Sequence, residues 1–243
     1  MLPDIPGAAS LRLLGGFELR MGSRPVALSL GPQRLLAYLA LHARPATRSS
    51  VAGTLWPEAA EERAAANLRS TLWRIRRTGL PLVSSSGAYL RLEPSVRLDV
   101  DESIGAARRI LDSSARGDDL ESLTEIALGG DVLPDWDDDW ALLERERFRQ
   151  IRLHALERRC DLLTSAGRTG EAIEAGLAVV AAEPLRESAH RALIRAHLAE
   201  GNRVEAIRQF ALYRRLMHDE LGLEPSPDIA ALVGGSVPAV MRS

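Results

Sequence analysis

Four residues of this chain return in register 34 positions further on: Gly167, Glu171, Ala172 and Ile173 recur as Gly201, Glu205, Ala206 and Ile207. Each copy reads as one helix ending at the glycine and the next opening at Glu-Ala-Ile, because glycine readily adopts the left-handed conformation that stops a helix. The small alanines permit close helix packing. Helix pairs of this period cannot bury their apolar faces one repeat at a time, so neighbouring pairs must stack. The surrounding sequence agrees. From Asp99 onward strand patterns vanish and Ala, Leu, Arg and Glu dominate, which predicts helices over Asp101–Leu111, Asp118–Leu128 and about Trp140–Ala166. GGDVLPDWDDDW reads as the loop between the last two.

The first hundred residues are patterned differently. LRLLGG and FELRMG read as short strands hinged at Gly15 and Gly16, and PVALSL as a third. A helix follows from about Pro32 to Ala43, with Pro32 in its first turn and Leu35, Leu36, Leu39 and Ala40 as its apolar stripe. SVAGTLW is a second, short helix, with Ser49 or Ser50 as the expected cap and Pro57 as the stop. A third runs from Ala59–Glu61 to about Thr78, ended by Gly79 and Pro81. Glu61 and Glu62 open it and arginines close it, as the helix dipole favours. LVSSSGAYLRL then alternates as a hairpin around Ser85, Ser86 and Gly87. Strands, three helices and a hairpin in this order make a winged helix-turn-helix. The expected fold is therefore mainly α with a small β component. It comprises a flexible tail over residues 1–10, a winged helix-turn-helix over 11–98, and an all-α, tetratricopeptide-like repeat domain over 99–243.

Charge divides the chain at the same place. Residues 1–98 hold 13 Arg against 6 acidic residues, and residues 99–243 hold 18 against 27, so the overall −2 hides a basic part joined to an acidic one. Such asymmetry points to a polyanionic partner, nucleic acid above all, for the first part. All 31 basic residues are Arg. Without lysine there is no GxxxxGK[ST] phosphate loop and no Schiff-base or kinase-type lysine. G-x-S-x-G, H-E-x-x-H and G-x-G-x-x-G are absent too, so no enzyme, cofactor or metal is expected. DWDDDW crowds Asp135, Asp137, Asp138 and Asp139, but lacks the order of a calcium loop and reads as an acidic, solvated loop or helix cap. His190 and His197, one heptad apart, read as ordinary helix residues, and the single Cys160 as a small buried apolar group. No run approaches the ~20 apolar residues of a membrane span, and MLPDIPGAAS lacks the parts of a signal peptide. A cytoplasmic protein without membrane contact is expected.

The stretch NLRSTLWRIRR, residues 67–77, carries the chemistry. At 100° per residue, Ala64, Leu68, Leu72 and Ile75 fall within about 40° of one line. Measured from Leu68, Arg63, Asn67, Ser70, Arg74 and Arg77 lie between about 180° and 260°. They form one stripe opposite the apolar face, with no carboxylate in it. Guanidinium forks match guanine O6/N7 or phosphate, and Asn matches adenine N6/N7. These five are the expected base readers. Arg69 and Arg76 flank the stripe and suit phosphates, as do Thr71 beside them and Ser85, Ser86 and Arg91 in the wing. Trp73 falls between core and stripe and is expected to pack or snorkel at the edge.

LRLLGGFELR, GPQRLLAYLALHA, VAGTLWPEAAEERAAANLRSTLWRIRR, and SSGAYLRL followed by VRLDV together resemble the OmpR-type winged helix of SARP transcriptional activators, the antibiotic regulatory family. LLERERFRQIRLHALE, AAEPLRESAHRALIRAHLAEGNRVEAIRQFALYRRL and DELGLEPSPDIAAL resemble the bacterial transcriptional activation domain that follows it there. The resemblance covers about residues 11–233, and LW before Pro57, the N-L-R-x-x-L-W-R-[LI]-R run and LGLEPSPDI are its most specific parts. It implies a small stand-alone member, larger ones continuing into an ATPase module. It also implies three partners: double-stranded promoter DNA bearing direct repeats, RNA polymerase holoenzyme, and a second protomer on DNA. The expected role is activation of a secondary-metabolite or neighbouring gene cluster. On the residues alone two other readings stay open: a helical-repeat adaptor whose basic part docks an acidic protein, and a regulator gated by a small molecule in the concave repeat surface.

Overall fold

The computed structural model describes residues 8–42, 44–112 and 130–234. The expected helix Asp118–Leu128 and most of the expected tail lie outside them. The chain is mainly helical with a small β component, as expected. It forms two compact units, one of residues 1–104 and 129–149, the other of residues 105–128 and 150–243.

In the first unit, β1 (Ala9–Arg12), β2 (Glu18–Met21) and β3 (Arg24–Pro25) form an antiparallel meander with Leu11 opposite Leu19. The third strand is shorter than PVALSL suggests. Pro25 has no N–H to extend the ladder, and the Leu28 carbonyl accepts from the Gln33 side chain at 2.7 Å instead. Helix α1 (Leu30–Leu41) therefore begins two residues before Pro32. Proline at the third position costs nothing there, since the first N–H groups of a helix have no intrahelical partner. Leu35, Leu36, Ala37, Tyr38 and Leu39 are all buried, a wider face than the expected stripe.

Next come β4 (Ala46–Thr47) and α2 (Arg48–Leu55). The cap of α2 is Thr47 rather than Ser49 or Ser50. Pairing with Tyr89 holds Thr47 extended, and its Oγ1 accepts the Ser50 N–H at 3.2 Å. Helix α3 (Glu61–Arg76) leads to the hairpin of β5 (Val83–Ser86) and β6 (Tyr89–Leu92), and the three strands lie in the order β4-β6-β5. β7 (Arg97–Leu98) returns parallel to β1, giving a sheet of order β3-β2-β1-β7. At the start of α4 (Asp99–Leu111), the Asp99 carboxylate accepts the N–H groups of Leu13 at 2.9 Å, Leu14 at 3.0 Å and Val100 at 2.8 Å, fastening the exit of β1.

The segment before α5 (Asp139–Ser165) is a loop whose acidic run is solvated as expected, but its first residues are not. Asp135, Asp137 and Asp139 are exposed, but Val132 and Leu133 are fully buried in the core of the first unit. The Leu133 N–H donates to the Leu13 carbonyl at 2.8 Å, and the Gly15 N–H to the Asp131 carbonyl at 2.9 Å. Arg145 donates to the carbonyls of Val132 and Trp136, both at 2.8 Å, and to that of Leu133, while Arg34 pairs with Asp138. The Asp138 carbonyl accepts the Ala141 N–H at 2.8 Å, so the acidic run also enters the helix. Trp140 packs edge-on to Tyr38, with ring centroids 5.5 Å apart. Burial of Val and Leu outweighs the acidity of their neighbours.

The second unit takes in the rest of α5 with α6 (Thr169–Ala182), α7 (Glu187–Ala199), α8 (Arg203–Leu221) and α9 (Pro227–Gly234). Helices α6 and α8 begin 34 residues apart, at Thr169 and Arg203, each just after one of the recurring glycines. Gly167 has φ +74° and Gly201 φ +85°, a region any larger residue enters only under strain. Ala172, Ala175 and Ala192 are buried between helices, beside Cys160 and Leu163. At Gly176 the packing is tightest: an added Cβ would lie 3.1 Å from the Leu193 side chain. Polar pins cross the helices. Arg186 pairs with Glu157 at 2.6 Å, and Glu187 accepts the Ser226 N–H at 2.9 Å at the start of α9. His190, expected to be an ordinary helix residue, is fully buried between the Pro184 carbonyl and the Gln209 amide, each at 2.8 Å. Among the described residues, no helix is long and apolar enough to cross a membrane.

Candidate nucleic-acid interface

Helix α3 is anchored by one face. Ala64, Leu68, Leu72 and Ile75 are buried, as their spacing predicts, and α2 and α1 pack against them. The opposite face is open: Arg63, Ser70, Arg74 and Arg77 are exposed, and Asn67 is half-buried. Arg69 and Arg76 are exposed at its flanks. Thr71 does not join them. It is 5% exposed, with its Oγ1 against Gly31 of α1, because it stands 60° from Leu68 on the apolar side. A hydroxyl so placed cannot meet a phosphate.

The electrostatics separate this face from an ordinary charged helix surface. Among the described residues, neither the four arginines of α3 nor Arg77, which caps it, pairs with a carboxylate. Elsewhere pairing is the habit: Arg168 with Glu171, Arg195 with Asp161 and Arg208 with Glu205. Glu61 and Glu62 sit in the first turn of α3, at the opposite end from Arg74, Arg76 and Arg77. A solvated helix surface gains from acid–base pairs three or four residues apart, and α3 forgoes them.

Trp73 is where sequence reasoning came up short. It is 56% exposed, and the Arg77 guanidinium carbon lies over its ring, 4.9 Å from the centroid. The signal was present in the four-residue spacing of an aromatic and an arginine on one helix.

The hairpin sorts the wing residues by register. Ser84 faces Arg91 and Ser86 faces Tyr89, whereas Ser85 faces the buried Leu90. Alternate residues of a strand point to opposite sides. Ser86 and Arg91 thus share the outer side with Tyr89, and Arg91 donates to the Ser84 hydroxyl at 3.0 Å. Ser85 borders the small cleft that Arg76 and Ile75 of α3 also line. A shallow groove of about 640 Å³ on the wing is lined by Arg44, Ser84, Ser86, Tyr89 and Arg91. Arg44 and Tyr89 were not singled out from the sequence, although Tyr89 alternates with Leu90 as an outward residue should.

Residues 106–234 match the family model described as bacterial transcriptional activator domain. The chain is 33% identical over 243 residues to the regulatory protein AfsR of Streptomyces griseus, covering 95% of this chain and 25% of that protein. It is 32% identical over 236 residues to the regulatory protein AfsR of Streptomyces coelicolor, covering 93% and 24%. The chain thus spans about a quarter of the length of these relatives. The fold is similar to that of Mycobacterium tuberculosis EmbR, solved in complex with a low-affinity phosphopeptide. The TM-score is 0.77 at 19% identity, over 93% of this chain and 64% of that one.

Proposed function

The chain belongs to the bacterial transcriptional activator domain family, and from that premise we propose that it is a sequence-specific DNA-binding activator of the SARP type, acting in the cytoplasm. Residues 11–98, completed by the packing of 129–149, bind promoter DNA as a winged helix, and the helical repeats of the remainder carry activation. The observation that carries the reading is the α3 face, a row of arginines opposite the core that, among the described residues, no carboxylate neutralises. Helix α3 enters the major groove, where Arg63, Asn67, Ser70, Arg74 and Arg77 reach base edges. Arg69 and Arg76 hold phosphates beside them, with Ser85 of the wing next to Arg76, and Ser86 and Arg91 on the wing's other side hold phosphates further along. Two protomers occupy direct repeats, and the repeat domain recruits RNA polymerase to a secondary-metabolite or neighbouring gene cluster.

The test is binding to duplexes that the protein selects from a randomised library, titrated at several salt concentrations. Arg74→Ala or Arg77→Ala is expected to cost about 1–3 kcal/mol and to relax preference at one position each. Arg69→Ala or Arg76→Ala is expected to weaken all duplexes alike and to reduce the salt slope by about 1. A double Arg74→Ala/Arg77→Ala protein that binds as the wild type does would refute the assignment of this face.

A further inference from the structure

We propose that Trp73 is a positioning residue that presets Arg77 for a paired-acceptor edge on DNA, an inference that rests on α3 being the DNA-facing helix. The core makes no use of most of this ring, which is 56% exposed. Its contact is with Arg77, whose guanidinium carbon stands 4.9 Å from the ring centroid, within the range of a cation–π interaction. Arg77 caps α3 with φ −65° and ψ −16°, still helical, so the four-residue spacing brings the two side chains side by side. An unsupported arginine loses rotamer freedom when it docks, and that loss weakens binding. An arginine already resting on a ring has lost much of it beforehand. A guanidinium that rests on a ring by its flat face keeps its N–H edge free for other partners. That edge makes paired hydrogen bonds to guanine O6 and N7 or to two phosphate oxygens. Among the described residues, no carboxylate occupies the edge of Arg77, and no other arginine of α3 rests on a ring. Arg77 is thereby set apart from Arg63 and Arg74 on the same stripe.

The test uses the full chain and the duplex that the wild type selects from a randomised library. Trp73→Ala is expected to weaken binding about two- to fivefold at unchanged melting temperature. In an Arg77→Ala background it is expected to cost nothing further, and Trp73→Phe should retain most of the affinity. An equal loss in the Arg77→Ala background overturns the proposal, because the indole then acts without Arg77. A second readout needs no DNA: the Arg77 side-chain protons of the free protein should resonate upfield under the indole ring current and return to ordinary values in Trp73→Ala. Ordinary values in the wild type overturn the pairing itself. A wild type that selects no duplex in a salt-sensitive way defeats the DNA reading, and this role for the pair with it, whatever the resonances show. Where Trp73→Ala weakens only duplexes keeping one particular guanine, the Arg77 edge meets a base. Uniform weakening with a shallower salt dependence assigns it to phosphate.

Discussion

Leu133 offers a perturbation whose sign is diagnostic. It is fully buried, yet its φ is +45°, the only positive value among the described residues other than glycine. Truncating a buried leucine to alanine costs about 2–5 kcal/mol through lost transfer energy and the cavity left behind. Leu133→Ala should therefore destabilise the first unit by about 3 kcal/mol while keeping the left-handed backbone. Leu133→Gly removes slightly more side chain and, at an ordinary φ, would be the worse variant by about 0.4–1 kcal/mol through unfolded-state entropy. Here the backbone reverses that order. A left-handed L-residue costs about 1–2 kcal/mol that glycine does not incur, so Leu133→Gly should be the more stable variant by roughly 0.5–1 kcal/mol. The assay is intrinsic: Trp56, Trp73, Trp136 and Trp140 all belong to the first unit and none to the second. Urea titration followed by tryptophan emission thus reports the first unit alone. A glycine variant less stable than the alanine one would refute the left-handed clasp. An alanine variant within about 1 kcal/mol of wild type would refute the burial of this loop in the core.

The second unit yields three further expectations. Gly176→Ala would press a methyl against Leu193 at 3.1 Å from two of its carbons and should cost about 1–3 kcal/mol in the urea midpoint of helical circular dichroism. Acid should destabilise the same unit in two steps. Burial, opposed by the Pro184 hydrogen bond and the Glu187 charge, holds His190 below the ordinary histidine value of 6.5. The unfolded chain therefore takes up that proton first, and stability falls as pH drops below about 6.5. Partial burial would raise the Glu187 carboxyl, but the bonds from Ser226 and Tyr213 hold it below the usual range. Its contribution is present at neutral pH and is lost at lower pH, as the carboxylate protonates. His190→Gln should flatten only the upper step, and a midpoint constant from pH 7 to 5 would contradict the assignment. Finally, burial and the Asp161 charge push the Cys160 thiol up to about 12. Thiol reagents should label it only as the unit unfolds, and rapid labelling of the native chain would place it at the surface.

The parts of this fold legible in the sequence are those governed by local periodicity. The α3 stripe, the hairpin and the 34-residue recurrence each come from spacing that one element imposes on its own residues. What escaped depends on partners distant in sequence. Thr47 caps α2 because Tyr89, 42 residues later, holds it extended. Val132 and Leu133 are core residues because the chain just after β1 pairs with their segment, the Leu13 carbonyl accepting the Leu133 N–H and the Gly15 N–H reaching the Asp131 carbonyl, a pairing no composition rule announces. The hydroxyl of Thr71 suggests the surface, but its position three residues after Leu68 already sets it on the apolar side. In the candidate interface, charge and angle identify the exposed arginines, but the placement of the Arg77 guanidinium over the Trp73 ring requires side-chain geometry.

Thr47 also bears on how such a regulator could be rebuilt. One residue serves in the wing ladder and as the lid of the helix that supports α3. A wing transplanted from a relative would carry its own partner for position 47 and would disturb the first turn of α2 unless that threonine travelled with it. Residues 46–47 and 83–92 therefore form one exchangeable cassette, and the outward residues of α3 another. Retargeting that respects this division changes what is read while leaving intact the frame that presents it.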